Sequence, residues 1–536
     1  MRPMHILALS LFTSIAPFVA AYTSPIFKRP RAGEAGAFGR SLEYSVNITL
    51  GGDEYDVLLD TGSSDLYIFG EPRQSKRTDI TADLSHRKSK VSGRVQTGDL
   101  IFGCLYVEDQ AYLVVDGSEN IDTAPGTGLI GIGPSPASNI RKAYNSPAGN
   151  PVLDKIFRQD MTLPRYITIL LGKDLIEHVS NGDLPEGQQG VFTIGSIVPE
   201  CEHITEMPKL SALTDQAQSQ HWELLLDSNG IIGPDGKAIE TKTSIPKPTE
   251  GKPDQLRLSL DTGFTLPQLP GAIIDQIYGR IPGAVFFEDG SLYEGHNRDL
   301  AEMQNFWVIP CDYEVNVTFL FGGKEYPISP LDLSWQVAED SKGKPVCVNY
   351  LQQTTDSIAG NTVDGILGMA FLRNMYMLLD YGNSVDGSDA NKADSYIQLL
   401  STVDKGATHL DFVKARLGGI DTTGSQPALL PMSNVTRLSD PDALRNAASV
   451  FGDANGDERP LYKRAWFIAL ISIAAVALVS GVALVAFFAV KKGRARKSKV
   501  KSEDAFVPPI GAYKPLLEES DVKHRHTYTD TEYRPV

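Results

Sequence analysis

Two short stretches hold the residues best suited to chemistry. Asp60, Thr61, Gly62 and Ser63 end the apolar run Val57-Leu58-Leu59. Asp261, Thr262 and Gly263 end a second run, Leu256 to Leu260, and the two aspartates stand 201 residues apart. Paired carboxylates are natural partners for general acid–base work. Brought face to face, two carboxyls cannot both ionise easily, so the pair holds one proton over a wide acidic range. One Asp-Thr-Gly is weak evidence, because Asp and Gly after a strand are common turn formers. Two triplets in matching surroundings are far more specific.

The elements that must position these residues also repeat. Val57 and Leu59 alternate before the first aspartate, as Leu256, Leu258 and Leu260 do before the second, which is strand patterning. Each triplet is followed by an apolar segment with glycines, Gly128 to Gly133 in one half and Gly365 to Ala370 in the other. The shared order suggests two lobes from an internal duplication. The glycines would let backbone approach closely beneath the aspartate loops.

The chain of 536 residues has room for two to four domains, and 48 Gly and 33 Pro among alternating runs favour short strands and turns. Residues 1–21 read as a secretory signal, with Arg2, an apolar stretch and the exit Val19-Ala20-Ala21 before Tyr22. Ala465 to Val490 carries no charge and is long enough to span a bilayer. The basic run from Lys491 to Lys501 then sets residues 491–536 in the cytoplasm. That tail carries +4, leaving −20 of the net −16 on the remainder, which argues against a nucleic-acid partner. Four cysteines in an oxidising compartment predict two disulfides with three possible connectivities. Asn47, Asn316 and Asn434 begin N-glycosylation sequons.

From Tyr44 to Leu400 the sequence resembles the pepsin-like aspartic proteases. The resemblance rests on the two Asp-Thr-Gly motifs, the opening strand YSVNITLGG, the segments GVFTIGSI and FWVIPCDYEVNVTFLFGGKEYPISP, and the closing stretch VDGILGMAFLRNMYMLLDYGN. It implies a mainly β, bilobal fold with an active-site cleft between the lobes, in addition to one C-terminal transmembrane helix. The lobes are expected at 41–200 and 201–402, after a short N-terminal segment at 22–40. A stalk is expected at 403–464 and the membrane helix at 465–490. Asp60 and Asp261 would be catalytic. Thr61 and Thr262 would lock the two loops together, and Gly62 and Gly263 would admit backbone amides to the inner oxygens. This family is itself the standard instance of two aspartates sharing a proton. The resemblance implies polypeptide substrates, a monomer, and no metal or cofactor. It also implies a Cys311–Cys347 bridge, which would leave Cys104 and Cys201 as the second pair.

Three departures from the family stand out. Phe264 occupies the place that Ser63 holds in the first motif, so Asp261 is expected to lose a hydroxyl partner. Aligning the flap on Gly98-Asp99-Leu100 puts Val91 where the family has a tyrosine, with Gly93 and Gly98 left to shape the turn. Too few residues precede the first strand for a long inhibitory prosegment, and Lys28-Arg29 is a poor processing site because Pro30 follows. The expected function is an aspartic endopeptidase working in acid. The alternative is a protease-shaped module that binds a peptide or protein in its cleft without cutting it. The layout is that of a single-pass type I membrane protein of fungal type, at the cell surface or in endosome or vacuole. Tyr513-Lys-Pro-Leu516 resembles a sorting signal.

Overall fold

The computed structural model describes residues 22–29, 43–85, 90–119, 126–172, 188–213, 221–246, 250–290, 303–339, 345–354, 362–382, 395–435 and 437. The expected signal, membrane helix and cytoplasmic tail lie outside the described residues. Among the described residues no helix is long and apolar enough to cross a membrane.

The first half supplies β1 (Tyr22–Arg29), β2 (Glu43–Leu50), β3 (Asp53–Asp60), β4 (Leu66–Ile68), β5 (Lys76–Ser85), β6 (Lys90–Phe102), β7 (Leu105–Glu119), β8 (Thr127–Gly131), β9 (Tyr166–Leu171) and β10 (Gln188–Ile194). The second supplies β11 (Leu210–Ser211), β12 (Trp222–Leu225), β13 (Ile231–Ile232), β14 (Arg257–Leu260), β15 (Gln268–Leu269), β16 (Val285–Asp289), β17 (Gln304–Ile309) and β18 (Val317–Phe321). It continues with β19 (Lys324–Ile328), β20 (Ser334–Glu339), β21 (Pro345–Asn349), β22 (Gln352–Gln353), β23 (Gly365–Leu367), β24 (Met375–Asp380) and β25 (Tyr396–Ser401). The architecture is mainly β.

The duplication is visible in the pairing. In the first half the order β2-β3-β8-β4-β7 joins β3 to β8 in parallel, β8 to β4 antiparallel and β4 to β7 in parallel. The second half repeats it as β12-β14-β23-β15-β22, with the same alternation of directions. Each aspartate therefore leaves a strand that lies beside its own glycine-containing segment.

Local sequence explains the turns. Gly51-Gly52 joins β2 to β3 with φ of 55° and 80°, and Gly322-Gly323 joins β18 to β19 with 59° and 75°. A two-residue hairpin of this kind needs positive φ at both positions, which glycine adopts without strain. Tyr55, Val57 and Leu59 of β3 are buried, as the alternation predicts.

The halves share one sheet of 13 strands, in which β9 of the first half pairs with β24 of the second. β1 is an inner strand of that sheet, between β10 and β2, with Tyr22 and Ile26 buried. Residues 22–29 of the expected N-terminal segment are thus part of the sheet.

Two expectations are corrected. Cys311 and Cys347 form a disulfide, with Cα atoms 5.1 Å apart. Cys104 and Cys201 do not pair: Cys104 is exposed just past the β6 end of the β6–β7 hairpin, and Cys201 is buried against Tyr376 and Leu378. The stalk also does not begin at 403. A helix runs from Lys405 to Arg416, capped by Asp404 and burying Phe412 and Val413. Beyond it, Leu430 exchanges hydrogen bonds with Arg280, and Arg437 forms a fork with Asp275 and lies over the Phe286 ring. The chain is packed on the body as far as Arg437. Asn47, Asn316 and Asn434 are all exposed.

Candidate active site

Asp60 ends β3 and sits opposite Gly131 in the parallel ladder. Asp261 follows β14, and its amide donates to the Leu367 carbonyl of β23 at 3.1 Å. Both side chains are almost fully buried, 4% and 6% exposed. A carboxylate so buried needs hydrogen-bond donors, and each loop supplies the amide of its own glycine. The Gly62 amide donates to Asp60 Oδ1 at 2.8 Å, and the Gly263 amide to Asp261 Oδ1 at 2.9 Å. The Ser63 hydroxyl donates to Asp60 Oδ2.

Each carboxyl also lies against the glycine of the opposite loop. A Cβ on Gly62 would stand 2.6 Å from the Asp261 carboxyl atoms, and one on Gly263 would stand 2.5 Å from Asp60 Oδ1. No other residue type fits at either position without moving a carboxylate. The two acids therefore face each other with a glycine from each side between them.

The threonines clasp the loops in a reciprocal pattern. Thr61 N–H donates to Thr262 Oγ1 at 3.0 Å, and Thr262 N–H donates to Thr61 Oγ1 at 2.9 Å. The hydroxyls in turn donate to the Leu260 and Leu59 carbonyls at 2.9 and 2.6 Å. Both side chains are buried, so all four bonds are made away from water.

Glycines beneath the loops do what the sequence suggested. Added Cβ atoms would stand 2.5 Å from the Asp65 nitrogen at Gly131 and 2.3 Å from the Phe264 carbonyl oxygen at Gly368. Phe264 packs its ring against Val363 and Ile366.

The flap residues are placed differently from expectation. Val91 is buried inside β6, paired with Leu84 of β5 and packed with Val95 and Leu113. Gly93 and Gly98 lie within the same strand and are not at a tip. Residues 86–89, which join β5 to β6, lie outside the described residues. The glycine spacing misled because β6 is long and irregular, its register with β7 shifting near both glycines.

Two further buried aspartates brace the loops. Asp65 accepts from Ser138 Oγ and from the amides of Asn139 and Ile140, fixing the start of the helix Asn139–Tyr144. Asp364 accepts from Thr243 Oγ1, from the amide and hydroxyl of Ser244, and from the Arg257 amide that starts β14. The signal available for both is a carboxylate set shortly before an apolar run, Leu66 to Phe69 after Asp65 and Ile366-Leu367 after Asp364. Tyr67 is buried near Asp60, and burial first, then that negative charge, pushes its phenol well above the ordinary range.

A model described as eukaryotic aspartyl protease matches residues 75–388. Major aspartyl peptidase 1 of Cryptococcus neoformans var. grubii is 23% identical over 401 residues, 68% of this chain and 73% of its own length. The probable aspartic-type endopeptidase CTSD of Trichophyton verrucosum is 24% identical over 379 residues, 66% of this chain. The matched stretch spans 62% of that relative, a little under two thirds of its length. Among solved structures, the aspartic proteinase from Irpex lacteus aligns over 73% of this chain and 99% of its own, at 16% identity and a TM-score of 0.49.

Proposed function

We propose that this chain, which belongs to the eukaryotic aspartyl protease family, is an endopeptidase that hydrolyses peptide bonds in acid with a water activated by Asp60 and Asp261. The observation that carries the reading is the symmetrical setting of the two carboxyls: each accepts its own loop's glycine amide and abuts the opposite glycine.

In the family to which the chain belongs such a pair works with one carboxyl protonated and the other ionised, and the reading takes that state for Asp60 and Asp261. A water between the carboxyls loses a proton to the ionised member as its oxygen bonds to the peptide carbonyl carbon. The protonated member gives its proton to the carbonyl oxygen, leaving a neutral tetrahedral diol. Collapse re-forms the carbonyl, transfers a proton to the leaving nitrogen and breaks the C–N bond. The clasp and the glycine amides hold this geometry before substrate arrives, so little reorganisation is needed during reaction. The charged state of the site favours catalysis only where one carboxyl is protonated, which gives an acid optimum.

The sequence supports a secretory leader at 1–21 and a single anchor at 465–490 with the protease outside the cytosol. We extend the folded body to Arg437, which leaves 438–464 as the tether to that anchor.

The test is cleavage of a mixed peptide library by the chain from pH 3 to pH 7, alongside Asp60→Asn and Asp261→Asn. The expected result is acid-dependent cleavage that falls by about 1,000-fold or more in each variant. Empty product spectra from a folded wild-type chain would overturn it.

A further inference from the structure

The clasp joins the two aspartate loops at their tips. A second connection joins them at their base. Three successive amides rise under the first loop: Gly131 N–H donates to the Asp65 carbonyl at 2.9 Å, Ile132 N–H to the Asp60 carbonyl at 2.8 Å and Gly133 N–H to the Ser63 carbonyl at 2.6 Å. The Ile132 carbonyl points the other way and accepts two side chains from the second half. Trp222 Nε1 donates to it at 3.1 Å and the Tyr381 hydroxyl at 2.6 Å. A carbonyl oxygen has two lone pairs, so its capacity is filled.

Trp222 is placed to couple the two acids. Its backbone lies directly opposite Leu260, the residue before Asp261, while its indole reaches the segment under Asp60. Tyr381 follows β24 and is held on several sides. Its amide donates to the Arg165 carbonyl at 2.8 Å, and its ring meets Trp222 edge-on at 5.0 Å and Phe157 at 5.5 Å. Both side chains are fully buried. Burial, with the buried acid Asp154 nearby, pushes the Tyr381 phenol well above its ordinary range, so it remains a donor throughout the acid range.

The second half shows a local support at the corresponding place. Met369 N–H donates to the Phe264 carbonyl at 2.8 Å, and the chain then enters the helix Met369–Leu372. That support runs into its own helix, whereas the support of Asp60 is also bonded by two side chains from the other half.

We propose that Trp222 and Tyr381 are positioning residues for the Asp60–Asp261 pair, acting through the Ile132 carbonyl to set the separation and tilt of the two carboxyls. The inference rests on the protease reading for its kinetic consequence and on geometry alone for its structural one. With the clasp intact and the strut gone, the first loop can rock about its tip. Substrate contacts in the cleft stay where they are, while the reacting carboxyls lose alignment.

The test compares Trp222→Phe, Tyr381→Phe and the double variant in the full chain. Each keeps an aromatic ring and removes one donor. Each single variant should lose about 3-fold in kcat, because one donor remains, and the double about 30-fold, more than the product of the two. KM should stay within about 2-fold, and the limbs of the pH–rate profile should move by about half a pH unit as the coupling between the carboxyls changes. Hydrogen exchange should rise in peptides covering 59–66 and 129–134 and stay at wild-type levels in the β18–β19 hairpin. Phe157→Leu, which disturbs the same packing without touching the carbonyl, should lower thermal stability and leave the pH limbs in place.

A double variant with wild-type kcat and pH limbs and merely lower stability would overturn the proposal, as would exchange that rises evenly across the chain. A folded wild-type chain that cleaves nothing would instead sink the protease reading. The exchange comparison would then still decide whether the strut holds the loop.

Discussion

Thr262→Val tests the clasp directly. Valine keeps the shape of threonine and replaces the hydroxyl with a methyl. Thr262 is 2% exposed, its Oγ1 accepts from Thr61 N–H at 3.0 Å, and it donates to the Leu59 carbonyl at 2.6 Å. The substitution strands one buried donor and one buried acceptor at a place water cannot enter. Each costs about 1–3 kcal/mol when left unsatisfied, so the loss is about 2–6 kcal/mol, with partial relaxation favouring about 3. With a urea slope of about 3 kcal/mol per molar, the unfolding midpoint should fall by about 1 M. Thr61→Val should behave the same way, because its hydroxyl makes the mirror-image pair of bonds. Urea titrations followed by tryptophan fluorescence provide the assay. A midpoint shift below about 0.2 M for either variant would refute the reasoning, since that is less than one buried hydrogen bond is worth.

Gly62→Ala should put a methyl about 1 Å inside van der Waals contact with the Asp261 carboxyl and cut kcat by about 100-fold, measured with any library peptide the wild type cleaves. His409 donates to Glu314 and to Asp421, with the Glu314 bond the larger cause of a pKa raised above the ordinary 6.5. Its contribution to docking of the helix Lys405–Arg416 is therefore complete below about pH 6.5 and is lost as pH rises through the raised value. The protection factors of that helix, corrected for the intrinsic rise of amide exchange with pH, should fall on going from pH 6 to pH 8, and His409→Gln should remove that fall. Cys347→Ser should cost about 4 kcal/mol, from a crosslink of sequence separation 36, read by denaturant melts. A thiol titration should find Cys104 reactive in the folded chain and Cys201, buried there with its pKa raised by that burial, reactive only after unfolding.

Much of the site was legible because the chemistry is local and repeated. Asp60 and Asp261 announce themselves through their own strands, and the glycines at 131 and 368 through the same order of elements. The Cys311–Cys347 bridge came from likeness in a long, well-preserved segment. The failures share a physical cause, which is contact between residues distant in sequence. Pairing Cys104 with Cys201 follows only by elimination, and nothing local says where either thiol lies. The alignment of Val91, Gly93 and Gly98 took two glycines as marks of a turn when they mark register shifts inside a long strand. The docked segment to Arg437 reads as a stalk because its apolar anchors, Phe412, Val413, Leu429 and Val435, are scattered among polar residues without a sustained strand or helix period. Trp222 and Tyr381 could not have been found at all, since their shared acceptor is a backbone carbonyl.

The pairing of β9 with β24 has a consequence for how the chain is made. Leu170 of β9 lies opposite Tyr376 of β24, 206 residues later. At about 5–20 residues per second, a ribosome needs roughly 10–40 s to supply that partner. Throughout the interval the nascent first half carries the apolar segment Tyr166–Leu171 with one edge open, a surface that invites pairing with other chains. The first half is therefore expected to leave that edge unpaired until the second is made. Yield in the cell should depend on what shields that edge during translation, and expressing either half by itself should give aggregate.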